Sequence, residues 1–340
     1  MQTQSTQLGE FDLIQRFFKT QSERMLINHS GAIALGIGDD CALIHSQPDQ
    51  EIAITSDMLL EGRHFFAGAN PQWLGWKALA VSLSDLAAMG AKPLGFTLAI
   101  ALPKVDSIWL EQFSKGLFEI ANQYACPLIG GDTTAGPLNI CITAFGSVSK
   151  GKAIKRSGAL EGDDVWVSGT TGDARLALAA LRHEIDLVNT DLEVIQSRMH
   201  QPRPRVELGL ALRDVAHSAI DISDGLLGDL KHVLKQSSMD AEIFLDQLPK
   251  SAVLLKQNIQ LQNQYAASGG DDYELCFTAP ISQREVIKKL SVDLTLPLTL
   301  IGSIEPMKGA TPEICLLDSR GVKLPQAQVN PLLQSFNHFA

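Results

Sequence analysis

The chain has 340 residues, of which 45% are hydrophobic and 19% are charged, and its formal net charge at pH 7 is −10. This length exceeds the roughly 100–200 residues typical of one domain, so two domains are expected. The acidic balance argues against nucleic acid or an anionic membrane as the partner, because both are bound largely through clustered lysine and arginine.

Strands and helices are predicted to alternate along the first half of the chain. Apolar residues at helical spacing predict a first helix over 10–20. Short apolar segments bounded by polar or turn residues predict strands over 51–56, 96–102, 127–129 and 139–148. Longer periodic segments predict helices over 74–89 and 109–124.

A domain boundary is predicted near residue 150. The turn at 149–152 and the segment 156–158 separate the first half from the next strand, predicted over 164–168. The two domains are therefore 1–150 and 151–340. Helices are predicted in the second domain over 174–181, 206–215 and 226–236, followed by mixed strands and helices.

The sequence also indicates the cellular compartment of the protein. No apolar run approaches the roughly 18 residues that a membrane span requires. The N-terminal stretch lacks the basic, apolar and small-residue regions of a secretory signal. The five cysteines are scattered and show no C-x-x-C spacing, which argues against a disulfide framework or a zinc site. We therefore expect a cytoplasmic protein with reduced thiols.

Aspartates recur beside glycine, serine or threonine at the edges of apolar segments. They lie in GIGDD (36–40), TSD (55–57), LSD (83–85), GGDT (130–133), DISDG (221–225) and GGDD (269–272). Each could cap a helix or form a turn. Together they could instead supply the oxygen ligands that hard cations prefer.

Asp85 favours the ligand interpretation. It lies in KALAVSLSDLAAMG, a predicted helix whose faces are almost entirely apolar or small. An unpaired buried carboxylate costs several kcal/mol, so Asp85 should face a partner charge or a cation. No His/Cys cluster of zinc spacing accompanies it, which implies Mg²⁺. Further oxygen donors are Asp40, Asp57, Asp132, Asp221 and Asp224.

Two segments are similar to phosphate-binding loops without matching them. Gly146–Ala153 has the Walker A spacing, but it ends in alanine where a hydroxyl should contact Mg²⁺. The segment 36–40 lacks the third glycine of a dinucleotide fingerprint.

Ser223-Asp224-Gly225 precedes an apolar periodic segment and predicts a helix N-terminus. We expect Ser223 or Asp224 to cap this helix, leaving backbone N–H groups for a phosphate, although a plain capped helix explains the pattern too. Arg156 and His64 are candidate phosphate or substrate contacts, although lone residues of these types are usually surface charge.

Taken together, the motifs resemble the thiamine-monophosphate kinase family over nearly the whole chain. The segments that carry the resemblance are GIGDDCALI (36–44), ITSDMLLEGRHF (54–65), KALAVSLSDLAAMGA (77–91), LIGGDTT (128–134), RSGALEGD (156–163), SAIDISDGLLGDL (218–230) and SGGDDYELCFT (268–278). The resemblance implies ATP-dependent, direct in-line phosphorylation of thiamine monophosphate to thiamine diphosphate, assisted by several Mg²⁺ ions.

The resemblance also implies an α/β fold (α+β, mixed sheets) with the two-domain architecture of aminoimidazole ribonucleotide synthetase. Domain 1–150 would bind ATP and Mg²⁺ and form the core of a homodimer, and domain 151–340 would complete the nucleotide and substrate site. The wider superfamily binds ATP without a Walker A loop, which agrees with the mismatch at Gly146–Ala153.

Site residues follow from the same resemblance, position by position. The implied Mg²⁺ ligands are Asp40, Thr55, Ser56, Asp57, Asp85, Asp132, Asp221 and Asp224. The implied ATP contacts are Tyr124, Gly131, Asp132, Arg156 and Ser223. The implied substrate contacts are His64, Asp271 and Phe336. Family members commonly carry glutamate at the position of Asp271 and tryptophan or tyrosine at that of Phe336, which bears on the geometry of the substrate contact.

Other functions share part of this pattern. A cyclising ligase acting on a ribonucleotide amide would use the same metal and ATP motifs. Hydrogenase-maturation and selenophosphate-forming relatives are disfavoured by the lack of a C-terminal cysteine and of a nucleophilic cysteine in a glycine-rich N-terminal segment. A non-catalytic nucleotide sensor is disfavoured by the intact set of aspartates.

Overall fold

The computed structural model describes residues 10–28, 31–37, 41–45 and 47–333. The chain separates into two compact units. The first unit combines the chain up to Leu86 with Lys92–Lys150, and the second combines Ala87–Ala91 with the chain from Gly151 onward. Each unit has its own main sheet. The two units are therefore described one at a time.

The first unit is built on a four-stranded sheet and two long helices. Its helical segments are α1 (Glu10–Leu13), a π-helical turn (Ile14–Lys19), α2 (Thr20–Asn28), α3 (Pro71–Ala88) and α4 (Ser107–Gln123). Its strands are β1 (Ile33–Leu35), β2 (Leu43–Ile44), β3 (Gln50–Leu60), β4 (Lys92–Leu102), β5 (Leu128–Ala135) and β6 (Asn139–Ser149).

The four-stranded sheet has the order β3-β6-β4-β5. The β3/β6 and β6/β4 pairs are antiparallel, and β4/β5 is parallel. Along β6, buried residues alternate with half-buried ones over the whole strand. Because successive side chains of a strand point to opposite faces, one face of the sheet is covered and the other is open.

Two glycines bring helices α3 and α4 into close contact. A Cβ atom at Gly75 would overlap the backbone of Phe113, and one at Gly116 would overlap the backbone of Gln72. Any larger residue would push the helices apart. This contact fixes the position of α3, the helix that carries Asp85.

The second unit contains a six-stranded mixed sheet with helices. Its strands are β7 (Asp164–Ser168), β8 (Ser218–Asp221), β9 (Met239–Phe244), β10 (Leu275–Ala279), β11 (Leu298–Pro306) and β12 (Ile314–Leu317). Its α-helices are α5 (Asp173–Leu181), α6 (Asn189–His200), α7 (Val206–Ala211), α8 (Leu226–Ser237), α9 (Ile259–Ser268), α10 (Arg284–Asp293) and α11 (Gln326–Val329). Short 3₁₀ turns occupy Leu245–Gln247, Leu254–Lys256, Ile281–Gln283 and Asn330–Leu333.

The strands of this sheet follow the order β12-β9-β11-β7-β10-β8. The β12/β9 pair is parallel and the other pairs are antiparallel. Buried residues of α5, α8 and α9 form one apolar core with the strands. The central strand β7 is buried at every position, as expected for a strand covered on both faces. Across the described part of the chain, no helix has the length and apolar character needed to cross a bilayer.

The mixed sheets confirm the predicted α/β fold class. The strand predicted over 164–168 is β7. Three other strands extend more than one residue beyond their predicted bounds. Strand β3 continues past residue 56 to Leu60, β5 continues past residue 129 to Ala135, and β4 begins at Lys92 instead of residue 96. Threonine and serine suit a strand with one open face, so the chain does not turn where they occur.

One predicted helix is shorter than expected, and one observed helix was not predicted. The helix predicted over 206–215 ends at Ala211, and Asp214 has a φ of 63°, which an α-helix does not accommodate. Helix α6 was not predicted, since its sequence NTDLEVIQSRMH shows few apolar residues. It is held by the burial of Ile195 and Met199, which lie one turn apart.

Candidate active site

Strand β3 and helix α3 bring a group of hydroxyl and carboxylate side chains together. Thr55 and Asp57 are alternate residues of β3, so their side chains share one face. The Thr55 hydroxyl donates to the carboxylate of Asp85, and the Ser82 hydroxyl donates to Oδ2 of Asp57 at 2.7 Å. Ser82 and Asp85 lie three residues apart on one side of α3. We call Thr55, Asp57, Ser82 and Asp85 the β3/α3 cluster.

The carboxylates of Asp57 and Asp85 lie close enough in this cluster to interact electrostatically. Burial raises the pKa of Asp57 to about 6, and the charge of Asp85 adds to this rise. The hydrogen bond from Ser82 lowers the pKa and offsets part of the effect. A cation held by both carboxylates would remove the repulsion between them. Oxygen donors of this kind fit Mg²⁺.

Ser82 is a site residue that the sequence analysis missed. It is fully buried in α3, and it orients Asp57 by hydrogen bonding. The available signal was a serine one turn before Asp85 in a largely apolar helix. That signal is weak, because a serine in a helix commonly bonds to the backbone of the preceding turn.

The structure places two predicted ligands away from this cluster. Ser56 points to the opposite face of β3, and its hydroxyl lies 3.0 Å from that of Thr143. Asp132 is exposed on β5, at the other edge of the sheet from β3. Three strand spacings separate these edges, which is about 14 Å. Within one copy of the first unit, Asp132 and Asp57 do not meet at a single ion.

Gly131, beside Asp132, occupies a position that only glycine fits. Its φ is 145°, and a Cβ atom there would overlap the backbone of Leu98 in the paired strand. The residue must therefore lack a side chain to pair with β4 in this conformation. A backbone without a side chain can also contact a ligand directly.

Tyr124 and His64 complete the predicted set of the first unit. Tyr124 follows α4 and is only 9% exposed, so its ring belongs largely to the core. The Nδ1 atom of His64 accepts a hydrogen bond from the backbone N–H of Leu60 at 3.0 Å. In the neutral imidazole this places the proton on Nε2, which is then a donor.

In the second unit, two segments that carry predicted site residues are bonded to each other. The backbone N–H of Asp271 donates to the carbonyl of Ser223, and that of Tyr273 donates to the carbonyl of Ile222, both at 2.8 Å. Gly270 permits this approach, because a Cβ atom there would crowd the carbonyl oxygen of Ser223. The pairing extends the ladder between β8 and β10.

The aspartates of these segments occupy different environments. Asp221 is the last residue of β8 and is buried, whereas Asp224 is half-buried in the following turn. Asp271 has a φ of 68°, a conformation uncommon outside glycine. Its Oδ1 atom accepts a hydrogen bond from the hydroxyl of Tyr273 at 3.0 Å. The carboxylate of Asp271 is therefore held in one orientation.

The expectation that Ser223 or Asp224 caps helix α8 is wrong. Neither Ser223 nor Asp224 caps the helix, whose N-cap is Gly225 without a side-chain hydrogen bond. The backbone N–H groups of 223, 224 and 225 all donate to Oδ2 of Asp229, at 3.0, 3.1 and 3.2 Å. A carboxylate of the helix itself thus binds the three N–H groups that precede the helix. Burial raises the pKa of Asp229 to about 7, although these N–H groups lower it.

A buried ionic network anchors the loop before β10. Glu274 is fully buried. Its carboxylate accepts hydrogen bonds from Nη2 of Arg198, Nε of Arg205 and Oγ of Ser168, each at 2.6 Å. Both carboxylate oxygens of Asp272 accept the backbone N–H of Gly172, at 3.0 and 2.8 Å. Asp271 is therefore attached to a rigid part of the second unit.

The structure does not bring Arg156 to Ser223. Arg156 is exposed, and its carbonyl accepts a hydrogen bond from Ser237, the last residue of α8. Ser223 lies just before the first residue of the same helix. A helix of 12 residues is about 18 Å long. Contact of both residues with one ATP molecule would require an extended ligand or the long side chain of Arg156.

Two predicted site residues, Asp40 and Phe336, lie outside the described residues. Among the residues that are described, no group of three or more His, Cys, Asp and Glu side chains is arranged to hold a metal ion. Protein sites commonly bind Mg²⁺ through one or two carboxylates, with phosphate and water oxygens completing the shell. The pair Asp57 and Asp85 meets that requirement.

The sequence and the fold of this chain are similar to those of known proteins. Residues 38–148 match the family described as AIR synthase related protein, N-terminal domain. Thiamine-monophosphate kinase of Salmonella typhimurium is 45% identical over 87% of this chain and 90% of that protein. The crystal structure of thiamine-monophosphate kinase from Stenotrophomonas maltophilia is 43% identical, with a TM-score of 0.82 over 87% of this chain and 94% of that one. A structure described as AaThiL complexed with AMPPCP and TMP is 29% identical, with a TM-score of 0.72 over 93% and 95% of the two chains.

Proposed function

This chain belongs to the thiamine-monophosphate kinase family, and on that premise we propose that it transfers the γ-phosphoryl group of ATP to thiamine monophosphate. The products are ADP and thiamine diphosphate. The observation that carries the proposal is the β3/α3 cluster, in which hydroxyl groups orient two neighbouring carboxylates. The family's substrates bring phosphate groups that need such a metal-binding partner.

The proposed reaction needs no general base. The phosphate of thiamine monophosphate is already anionic at neutral pH, so the difficulty is repulsion between acceptor and donor. When bound, Mg²⁺ supplies neutralisation of the phosphate charge. Asp57 and Asp85 would hold it in the first unit with Thr55. Further proposed ligands are Asp40, Ser56, Asp132, Asp221 and Asp224.

The remaining predicted residues are proposed to bind the two substrates. ATP would be contacted by Tyr124, Gly131, Asp132, Arg156 and Ser223. On the acceptor side, the Nε2–H of His64 suits a phosphate oxygen. The carboxylate of Asp271, held by Tyr273, suits the cationic ring of thiamine. Phe336 is proposed to stack on that ring.

A homodimer is proposed to form through the open face of the four-stranded sheet. Ile54 and Met58 project from this face of β3 and are 64% and 50% exposed. Ile52 and Leu60 lie on the same side of the strand and are also exposed. A row of large apolar side chains on an uncovered sheet face is typical of an interaction surface. A second copy of the chain would cover it.

The cytoplasm is the proposed location of the enzyme. All five cysteines are unpaired with one another, and Cys126 and Cys276 are buried. Chains without disulfides are typical of reducing compartments.

An acceptor screen tests the proposed function. The protein is incubated with ATP, Mg²⁺ and a panel of phosphate esters, and ADP and diphosphate products are measured. We expect thiamine monophosphate to give thiamine diphosphate with matching ADP. A ribonucleotide acceptor that is used in preference would indicate a ligase instead, and nucleotide binding without turnover would indicate a sensor.

A further inference from the structure

Asp229 holds the turn that connects β8 to α8. It is 4% exposed, and its Oδ2 atom accepts the backbone N–H groups of the residues 223–225. These residues directly precede helix α8, and Gly225 is its N-cap. A carboxylate from the helix's own first turn therefore fixes the backbone that leads into the helix.

The same turn is held from its other side. The carbonyls of Ile222 and Ser223 accept the backbone N–H groups of Tyr273 and Asp271. Ser223 is thus fixed through its N–H by Asp229 and through its carbonyl by Asp271. Rotation of either peptide would break one of these bonds. The turn that carries Asp224 is therefore rigid before any ligand binds.

We infer that Asp229 is a positioning residue for the proposed kinase reaction. Its carboxylate sets the backbone of the Ser223–Gly225 turn and so aims Asp224, together with the neighbouring Asp221, at the phosphates. Asp229 itself touches neither substrate. Catalytic groups must be held within about 0.5 Å of their productive position, which makes such support functionally costly to disturb. This inference rests on the proposed function.

Two substitutions at Asp229 separate its geometry from its charge. Asp229→Asn keeps an oxygen at the same reach, which can accept the three N–H groups, but removes the charge. Asp229→Glu keeps the charge but moves the oxygens by one methylene. We expect Asp229→Asn to keep kcat within about threefold, and Asp229→Glu to lower kcat about tenfold or more, because a displacement near 1 Å can cost up to 100-fold.

Asp240 offers a matched control in the same unit. It is buried, and it accepts backbone N–H groups of Lys308 at 3.0 Å and of Glu313 at 2.8 Å. It lies on β9, outside the proposed binding segments. Asp240→Asn and Asp240→Glu should both leave kcat within about threefold, although unfolding temperatures are expected to change as much as for Asp229.

Hydrogen exchange gives a readout that does not depend on turnover. In the metal-free wild-type protein, the amides of 223–225 should exchange slowly, and in Asp229→Glu they should exchange at least about tenfold faster. ATP and Mg²⁺ binding, measured by calorimetry, should weaken in the same variant. The Asp240 variants should alter neither measurement.

The outcomes separate this inference from the proposed function. If the wild-type protein has no thiamine-monophosphate kinase activity, the proposed function fails. If the wild type is active and a folded Asp229→Glu matches the Asp240 variants in kcat and in exchange, the positioning role is overturned. Loss of kcat in Asp229→Asn equal to that in Asp229→Glu would also overturn it, because an oxygen held in the native position would then not be sufficient for activity.

Discussion

Asp57 shows how one side chain acquires its properties from its neighbours. Burial and the charge of Asp85 raise its pKa, and the hydroxyl of Ser82 lowers it. The sequence predicts Asp85 as a ligand because a carboxylate in an apolar helix needs a partner, and it predicts Asp57 from the recurring aspartates at the edges of apolar segments. Ser82 and Asp229 could not be predicted in this way. Their roles depend on which neighbour each side chain meets after folding.

Asp85→Asn should abolish turnover while the fold remains. The substitution preserves the shape of the side chain but removes an anionic ligand, and we expect kcat to fall by more than about 100-fold, the upper range for a supporting residue of a metal site. Activity and unfolding curves are measured on the same sample. The control is Asp106→Asn, in which the new amide still caps α4. Near wild-type activity of Asp85→Asn at low Mg²⁺ would exclude the ligand role.

Ser82→Ala should weaken metal binding without preventing it. The hydroxyl orients the carboxylate of Asp57, and loss of such a partner typically costs about 10–100-fold in metal affinity or activity. The Mg²⁺ concentration for half-maximal activity should therefore rise. Ser114→Ala is the control, since Ser114 is a buried serine of α4 whose hydroxyl donates to the nearby carbonyl of Glu111 at 3.1 Å. An equal change in both variants would assign Ser82 a purely structural role.

For strands β3 and β5, the sequence predicts the start of each strand but not its end. Apolar composition correctly predicts that both exist and where each begins to within a residue. Their ends were placed too early, because Thr55–Asp57 and Gly130–Asp132 contain residues that also form turns. Strand β3 pairs with β6, and β5 pairs with β4, so both segments remain in strand conformation through these residues. Local sequence cannot include that pairing energy.

The loop before β10 should make stability depend on pH through Asp272. Burial raises the pKa of Asp272 well above 3.8, although the N–H of Gly172 and the charge of Arg198 oppose the shift. A carboxyl group of this kind stabilises the fold fully below its unfolded pKa, and this contribution is lost as the pH rises through the folded pKa. Asp272→Asn removes the titration.

Urea unfolding between about pH 4 and about pH 8 checks this prediction. The free energy of unfolding of the wild type, minus that of Asp272→Asn, should decrease as the pH rises. An increase over the same range would show that the Arg198 guanidinium outweighs burial, and that Asp272 has a lowered pKa in the folded protein.

The candidate site residues lie in two units, and each unit has its own sheet. The motifs alone predict a set of candidate site residues, but not which of them are neighbours. Within the first unit, the strand order places Asp132 far from Asp57, and the alternation of β3 places Ser56 on the open face. Both facts follow from topology, which periodicity along the chain does not determine.

Ile54→Asp should disrupt the proposed homodimer. Burying an unpaired charge at an apolar interface is costly, and we expect the dimer dissociation constant to rise at least about tenfold. Analytical ultracentrifugation measures this directly. Ile108→Asp is the matched control, because Ile108 is 72% exposed in the first turn of α4. A wild-type protein that is monomeric at all concentrations would contradict the dimer proposal.

Transfer of label from ATP tests the central claim most directly. The protein is incubated with Mg²⁺, thiamine monophosphate and ATP that carries a radioactive γ-phosphoryl group, and all phosphorylated species are separated. We predict that the label appears in thiamine diphosphate in amounts equal to the ADP formed, and that none remains on the protein, because the anionic acceptor attacks directly. Label that appears only in inorganic phosphate, or that is trapped on the protein without acceptor, would contradict direct transfer to thiamine monophosphate.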